Sequence, residues 1–218
     1  MLSQTEENYL KTLFHLTSES ADKLEAGTTE LATVLKVKPA TVNDMLKKLK
    51  EKKLISYEKY GKISLTASGR KQAIDVVRKH RLWETFLSEK LEFTWDEVHE
   101  VAEQLEHIQS PKLIARLERF LDYPQVDPHG DVIPNAKGEI KFQARKLLSQ
   151  IAVGRTCVLV AVKDNTASFL QYVVQVGLGL NSKIRVISRQ EFDGTMEIEV
   201  NGKKSVVSQK FVDNLYVM

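Results

Sequence analysis

Histidine and glutamate side chains recur at helical spacing between residues 80 and 107, a segment that holds three of the five histidines in the chain. Residues three or four positions apart lie on one face of an α-helix. The segment therefore predicts two helices that each present clustered imidazole and carboxylate groups. Nitrogen and oxygen donors of this kind suit a divalent first-row metal ion. The candidate ligands are His80, Glu84, His99, Glu103, Glu106 and His107.

The cluster has a plain alternative, because histidine and glutamate are common on solvated helix faces. Apolar residues in the same turns, among them Leu82, Phe86 and Ala102, favour a position close to a core. A buried carboxylate there needs a compensating cation. The second histidine of a zinc-protease helix is missing, and no glutamate stands three residues before a histidine as in di-iron bundles. We therefore favour a structural or regulatory metal over a catalytic one.

The composition is that of a globular protein in a reducing compartment. Of the 218 residues, 42% are hydrophobic and 28% are charged. The single cysteine, Cys157, lies in an apolar run and is predicted to be a buried strand residue rather than a nucleophile. Charged residues interrupt the N-terminal segment, and no apolar run reaches membrane-spanning length. We expect a cytoplasmic protein with no membrane partner.

Positive charge is concentrated between Lys36 and Lys71. This segment has 11 Lys and Arg residues against 3 Asp and Glu residues, which gives a local charge of +8, whereas the whole chain carries only +3. A segment of this kind favours a polyanionic partner. The helices and hairpin predicted in the same segment, described next, indicate that this partner is double-stranded DNA.

The basic segment has the element pattern of a winged helix-turn-helix. A short helix near residues 28–35 precedes a helix that begins at Pro39, and a hairpin over residues 54–65 with a turn at Tyr60 and Gly61 follows. In this fold the second helix enters the major groove, while lysines contact phosphates. The candidate groove residues are Lys38, Pro39, Ala40, Thr41 and Asn43, and the candidate phosphate contacts are Lys47, Lys48, Lys59 and Lys62.

Local signals indicate where the helices begin. Ser3 and Glu6 form a capping box for the first helix, and Thr28 or Thr29 is the expected cap of the next. A later helix over residues 66–90 carries an apolar stripe and is long enough to hold a dimer seam.

Three domains are predicted in a mainly α protein with a β C-terminal part. Residues 1–72 form the winged helix-turn-helix. Residues 73–150 form a helical metal-binding and dimerisation domain that ends in a Pro-rich connector. Residues 151–218 form a small β-barrel, in which Asn201 and Gly202 mark a hairpin turn.

Five short motifs are spread over nearly the whole chain: Glu7-Asn8-Tyr9-Leu10, Lys79-His80-Arg81-Leu82-Trp83-Glu84, Glu97-Val98-His99, Glu106-His107 and Pro128-His129-Gly130-Asp131-Val132-Ile133-Pro134. In this order they resemble the metal-dependent repressors of the diphtheria toxin repressor and manganese transport regulator family. The resemblance implies a homodimer that must bind Mn²⁺ or Fe²⁺ before it binds a palindromic operator. It also implies that the C-terminal barrel is the SH3-like domain of that family.

The resemblance further implies two metal sites per subunit. One site takes His80, Glu84 and His99, and the other takes Asn8, Glu103, Glu106 and His107. Glu103 stands where iron-type members have a cysteine, so its site resembles the manganese-type version. Asn8 and Lys11 stand where manganese-type members have Asp and Glu. Iron-type members also draw ligands from the barrel, and the corresponding positions here are Thr166 and Phe169, so no barrel ligand is assigned.

Two other function classes stay open, as does the choice between Mn²⁺ and Fe²⁺. A metalloenzyme would need an open coordination position, a general base and a substrate pocket. The sequence offers no candidate pocket, so we expect neither an enzyme nor a small organic substrate. A metal-independent regulator would use residues 80–107 only as a dimer interface, without binding a metal there. Equilibrium dialysis with Mn²⁺ separates that alternative from a metal-activated repressor.

Overall fold

The N-terminal part of the chain folds into four helices and a two-stranded hairpin. Helices α1 to α4 span Gln4–Ser18, Thr28–Leu35, Pro39–Glu51 and Ala67–Leu91, and strands β1 and β2 span Ile55–Tyr57 and Ile63–Leu65. This order confirms the predicted winged helix-turn-helix. The structure is a computed structural model that describes residues 2–18, 24–57, 62–141 and 144–218. The predicted turn at Tyr60 and Gly61 and the predicted phosphate contact Lys59 lie outside the described residues.

Helix α1 begins at the predicted capping box, whereas α2 begins differently. The Ser3 amide donates to Glu6 Oε2 over 2.9 Å, and the Glu6 amide donates to Ser3 Oγ over 3.3 Å. The prediction that a threonine caps α2 is wrong, because Gly27 occupies the N-cap. The Glu30 carboxylate accepts from the Gly27 amide over 3.3 Å, so the acidic residue of the first turn satisfies this helix end.

The core of the winged helix-turn-helix is built from the apolar faces of its helices and hairpin. The hairpin pairs Ile55 with Leu65 and Tyr57 with Ile63 in an antiparallel register. Helix α4 starts close to this hairpin, because a Cβ at Gly69 would collide with the carbonyl group of Leu54. The largest fully buried side chains here are those of Leu10, Leu13, Phe14, Leu31, Leu46, Leu49 and Ile63.

The C-terminal part of the chain is dominated by one antiparallel sheet. Helices α5 and α6 (Val98–Leu105 and Pro111–Phe120) precede it, followed by β3 (Lys146–Leu147), a 3₁₀ turn (Leu148–Gln150), β4 (Thr156–Val162), α7 (Ala167–Gln175), β5 (Lys183–Arg189), β6 (Met196–Val200), β7 (Lys203–Val207), α8 (Gln209–Val212) and β8 (Leu215–Val217). The strand order is β3-β8-β4-β5-β6-β7. Asn201 and Gly202 both have positive φ, as the predicted two-residue hairpin turn requires. Cys157 is buried in β4, which confirms its predicted place in a buried strand.

The connector loop is held against β4 by backbone contacts. The Val162 amide donates to the carbonyl group of His129 over 3.0 Å. Gly130 has φ +86°, and a Cβ there would collide with the backbone at Val160. Only glycine tolerates both conditions at this position. The approach fixes the adjacent His129 side chain, which is fully buried.

The chain divides into two compact units. The first comprises Met1–His80, Leu105–Ser110 and Pro134–Glu139, and the second comprises Arg81–Gln104, Pro111–Ile133 and Ile140–Met218. Helix α4 contributes residues to both units, with His80 the last residue of the first. Across the described ranges, no helix is long and apolar enough to cross a membrane.

Candidate metal centres and nucleic-acid interface

The buried carboxylate of Glu106 is the centre of a polar cluster in the first unit. Lys11 Nζ lies 2.7 Å from Glu106 Oε1 and 2.8 Å from Oε2, and His80 Nδ1 lies 2.6 Å from Oε2. Burial alone would raise the pKa of Glu106, but the hydrogen bond from His80 and the charge of Lys11 outweigh it and hold that pKa below its ordinary value. Glu106 is therefore an ionised carboxylate inside the fold.

His107 is oriented by a carboxylate that the sequence analysis did not single out. His107 Nδ1 lies 2.6 Å from Glu7 Oε2, and the side-chain amide of Gln109 donates to Glu7 Oε1 over 2.6 Å. An imidazole held through Nδ1 presents its other nitrogen to a ligand, as metal-binding histidines commonly do. His107 Nε2 lies 3.8 Å from Glu106 Oε1. Glu7 thus aims the donor nitrogen of His107 at the Glu106 carboxylate.

Asn8 supplies a further oxygen on the same helix as Lys11. Its Oδ1 atom is buried and has no hydrogen-bonding partner among the residues that the structure describes. Buried polar atoms are nearly always satisfied, so an unsatisfied carbonyl oxygen of this kind fits a ligand. With the predicted ligands Glu106 and His107 it would give a mainly oxygen-donor set. Such a set suits Mn²⁺ or Fe²⁺, so the residues present fit the expected metal.

A second cluster lies in the second unit and combines Glu84, Asp127 and His129. Their potential ligand atoms all lie within 4.8 Å of one another, and all three residues are buried. His129 Nε2 lies 3.0 Å from the carbonyl oxygen of Trp95, to which it must donate a proton. In the neutral ring the lone pair is then on Nδ1, which lies 3.5 Å from Glu84 Oε2, beyond normal hydrogen-bonding distance. This unsatisfied nitrogen beside two carboxylates also fits a divalent ion.

The electrostatics of this cluster favour an added cation. Burial, together with the nearby carboxylates of Glu84 and Asp131, raises the pKa of Asp127 to about 8, although Arg81 and His129 oppose the shift. The pKa of His129 is also raised: burial opposes its charge, but the nearby negative charges of Glu84 and Asp127 outweigh that effect. Two buried carboxylates at short range thus retain a proton at neutral pH, and a bound cation would take its place.

The predicted ligands are distributed over both units. Asn8, His80, Glu106 and His107 belong to the first unit, and Glu84, His99 and Glu103 belong to the second. Within the second unit, His99 Nδ1 lies 3.2 Å from Glu84 Oε1, and His99 Nε2 lies 3.5 Å from Glu103 Oε1. The structure thus brings these three predicted ligands together around one imidazole.

Four residues of these clusters were missed as candidates by sequence reasoning. His129 lies in a motif that was interpreted only as part of a connector, and Asp127 lies just before it. Glu7 is adjacent to Asn8 and was quoted only as part of a motif. Lys11 was recognised as a departure from the family pattern, but spacing alone gave no sign that it pairs with Glu106.

Most of the candidate DNA-binding residues that the structure describes lie on the exposed surface of α3 and the wing. Lys38, Pro39, Ala40, Thr41, Lys47, Lys48 and Lys62 are exposed. Asn43 is partly buried, and its Oδ1 accepts from the hydroxyl group of Tyr57 over 2.8 Å, which leaves its amide nitrogen as the donor for a base edge. Lys47 pairs with Asp44 over 3.0 Å at the surface. Such exposed pairs are weak and exchange readily for phosphate contacts.

Comparison with known proteins matches two family domains to the first 135 residues of the chain. The N-terminal DNA binding domain of iron dependent repressors matches residues 1–63, and their metal binding and dimerisation domain matches residues 66–135. A solved structure described as a manganese-dependent transcriptional repressor in complex with manganese is 33% identical, covers 98% of this chain and 99% of its own, and superposes with a TM-score of 0.88. The chain belongs to the iron-dependent repressor family. The resemblance stated from the sequence is thereby confirmed.

Other relatives of this repressor family member extend the comparison. The FeoA domain matches residues 146–218, which confirms the SH3-like C-terminal part. The structure of ScaR with bound Cd²⁺ is 34% identical, with a TM-score of 0.80 and 98% coverage of both chains. The iron-dependent repressor IdeR of Mycobacterium leprae is 34% identical over 133 residues, which is 61% of this chain and 56% of IdeR. The matched stretch thus spans little more than half the length of that curated relative.

Proposed function

We propose that this chain is a metal-activated, DNA-binding transcriptional repressor that controls genes of metal uptake or homeostasis. The observation that carries the proposal is the presence of buried carboxylate and imidazole clusters in a chain with a winged helix-turn-helix. The proposed activator is Mn²⁺ or Fe²⁺, and the proposed form is a cytoplasmic homodimer on a palindromic operator. The proposed functional segments are residues 1–72 for DNA binding, 73–150 for metal binding and dimerisation, and 151–218 for the SH3-like domain.

Two ions per subunit are proposed. The proposed ligands are Asn8, Glu103, Glu106 and His107 for one ion, and His80, Glu84 and His99 for the other. The buried cluster in the second unit adds Asp127 and His129 to the ligands around Glu84. Glu7 is proposed as the residue that orients His107 rather than as a ligand, since both of its oxygens already accept hydrogen bonds. When bound, the ions supply the positive charge that these converging oxygen and nitrogen donors lack.

The proposed DNA contacts follow from residue chemistry and, except for the partly buried Asn43 and for Lys59, which lies outside the described residues, from exposure. Lys38, Pro39, Ala40, Thr41 and Asn43 face the major groove, while Lys47, Lys48, Lys59 and Lys62 contact phosphates. The amide nitrogen of Asn43 is the donor available to a base edge, because Tyr57 holds its oxygen.

Coupling between metal and DNA follows from the position of Glu106 and His107 within the first unit. Both contact α1, through Lys11 and Glu7 respectively, and α1 packs against the wing strand β2 and α2. Without a cation at this cluster, we expect the DNA-binding helices to sample several orientations. The apparent affinity for the operator then falls by the fraction of molecules that is binding-competent. By linkage, operator must raise metal affinity by the same factor by which metal raises operator affinity.

A pair of titrations tests the proposal. A palindromic fragment is first selected from random DNA with Mn²⁺-loaded protein. Its affinity is then measured with and without Mn²⁺, and with and without anaerobic Fe²⁺, and Mn²⁺ affinity is measured with and without the fragment. We expect equal coupling factors in the two directions for wild type, and a smaller factor for His107→Ala. Equal affinity of metal-free and metal-loaded wild type for the fragment would refute metal activation. A failure to bind Mn²⁺ in equilibrium dialysis would favour a metal-independent regulator.

A further inference from the structure

The ammonium group of Lys11 sits directly on the carboxylate proposed as a metal ligand. Lys11 Nζ contacts both oxygens of Glu106, and the two side chains are only 9% and 0% exposed. A lysine is rarely buried unless an opposite charge compensates it. The pair therefore places a lysine ammonium group inside the cluster, on the carboxylate that a divalent ion would also have to use.

The lone pairs of Glu106 show how much of this carboxylate is left for a metal. A carboxylate offers about four acceptor positions, two on each oxygen. On Oε2, Lys11 takes one position and His80 Nδ1 takes the other. On Oε1, Lys11 takes one position, and the nitrogen His107 Nε2 lies 3.8 Å away. Counting the contacts of the described residues, one position thus remains, on the oxygen that faces the donor nitrogen of His107.

The charges of the cluster lead to the same stoichiometry. With neutral imidazoles, the carboxylates of Glu7 and Glu106, the proposed ligand Glu103 and the ammonium of Lys11 leave two net negative charges. A single divalent ion neutralises this set, whereas a pair of ions would leave two positive charges. Buried charge without compensation is strongly unfavourable.

We propose that Lys11 is a built-in counter-cation that restricts Glu106 to one coordination position, so that the first-unit centre binds a single divalent ion. Lys11 replaces a second ion, because its ammonium group contacts both oxygens of Glu106 and occupies positions that such an ion would need. This inference rests on the proposed metal-binding function, and it assigns Lys11 a role in setting how many ions the centre takes.

The test counts Mn²⁺ at the first-unit centre alone. All proteins carry Glu84→Gln and Asp127→Asn, which disable the second-unit cluster, and bound Mn²⁺ is measured by equilibrium dialysis and electron paramagnetic resonance. With Lys11 present we expect one Mn²⁺ per chain and the spectrum of an isolated ion. With Lys11→Glu we expect two ions per chain and the spectrum of an exchange-coupled pair. The matched control is Lys52→Met, which removes a different lysine paired with a glutamate, Glu6, in the same unit, and should leave the count at one.

A second variant separates this role from a structural one. Lys11→Met removes the charge at similar length and should lower the melting temperature of the metal-free protein, because Glu106 loses its cation. It should also tighten Mn²⁺ binding by at least about fivefold, since a competing positive charge is gone. A lower melting temperature with unchanged or weaker Mn²⁺ binding would overturn the proposal, as would two ions bound with Lys11 intact. No Mn²⁺ binding by the chain with intact second-unit ligands would overturn the proposed function, whereas no binding only when those ligands are removed would overturn this inference alone.

Discussion

Glu84 on α4 and His129 in the connector loop face each other inside the second unit, with Glu84 Oε2 and His129 Nδ1 3.5 Å apart. The opposite edge of the imidazole is fixed by its hydrogen bond to the Trp95 carbonyl oxygen. A third buried group, Asp127, completes a cluster of two carboxylates and one imidazole. An arrangement of this kind is costly without a cation, and that cost leads to the first prediction.

Asp127→Asn should stabilise the metal-free protein at pH 8 and weaken its binding of Mn²⁺. Because the pKa of Asp127 is raised to about 8 in the folded state, the folded chain holds a proton that the unfolded chain has lost above about pH 4. The free energy of unfolding therefore falls as the pH rises from about 4 to about 8. Asn does not titrate, so the free energy of unfolding of the variant should not decrease over this pH range for this reason. Each kcal/mol recovered corresponds to about 2–4 °C in melting temperature for a chain of this size.

Melting curves in chelator at pH 5 and pH 8, with and without Mn²⁺, measure both effects. Glu100→Gln, a change on the exposed side of α5, is the control and should alter neither the pH dependence nor the Mn²⁺ response. A variant that is less stable than wild type at pH 8 in chelator would contradict the proposed repulsion at Asp127.

Glu7→Gln should weaken metal binding without removing a ligand. Glu7 accepts from His107 Nδ1 and from Gln109, so it fixes the ring that presents Nε2 to Glu106. Losing such an orienting carboxylate typically costs about 10- to 100-fold in metal affinity. The neighbouring change Glu6→Gln is the matched control, since Glu6 pairs with Lys52 and caps α1. Calorimetric titration with Mn²⁺ should show the loss only for Glu7→Gln, and equal affinities of the two variants would rule out the orienting role.

Helical spacing predicted part of the candidate site, and packing between distant segments determined the rest. The spacing of His80 and Glu84 sufficed to place both on one helix, and both lie on α4. The partners of Glu84 could not be predicted in the same way. His129 reaches it because Gly130 lets the connector approach the backbone of β4, and no local periodicity encodes that approach.

The fold shows the same division between local and non-local signals. The Asn201-Gly202 turn and the start of α3 at Pro39 were correctly predicted, since each depends on the conformational preference of one or two residues. The short strands β3 and β8 were not predicted. They are two and three residues long and pair with each other across most of the C-terminal part of the chain, so their own sequences carry little strand signal.

Lys48→Ala should weaken operator binding by a similar factor for every DNA sequence. Lys48 is exposed in the last turn of α3, two turns away from the candidate groove residues at its N-terminal end. A phosphate contact contributes affinity through counterion release, so its loss should reduce the slope of log affinity against log salt by about 0.9. Lys203→Ala, at the start of the edge strand β7, is the control and should leave the slope unchanged. A change of base preference at constant slope would place Lys48 at a base edge instead.

Glu103→Cys should change which metals activate the protein. In the second unit the Glu103 carboxylate lies 3.5 Å from His99 Nε2, and it is proposed as an oxygen ligand. A thiolate is a softer donor than a carboxylate, so the variant should respond more strongly to later metals such as Co²⁺ and Ni²⁺ and less strongly to Mn²⁺. Glu103→Asp keeps the carboxylate and is the matched control, which should retain the wild-type order of metals at lower affinity. Activation is measured as operator affinity at a fixed free concentration of each metal, and an unchanged order for Glu103→Cys would show that Glu103 is not a ligand.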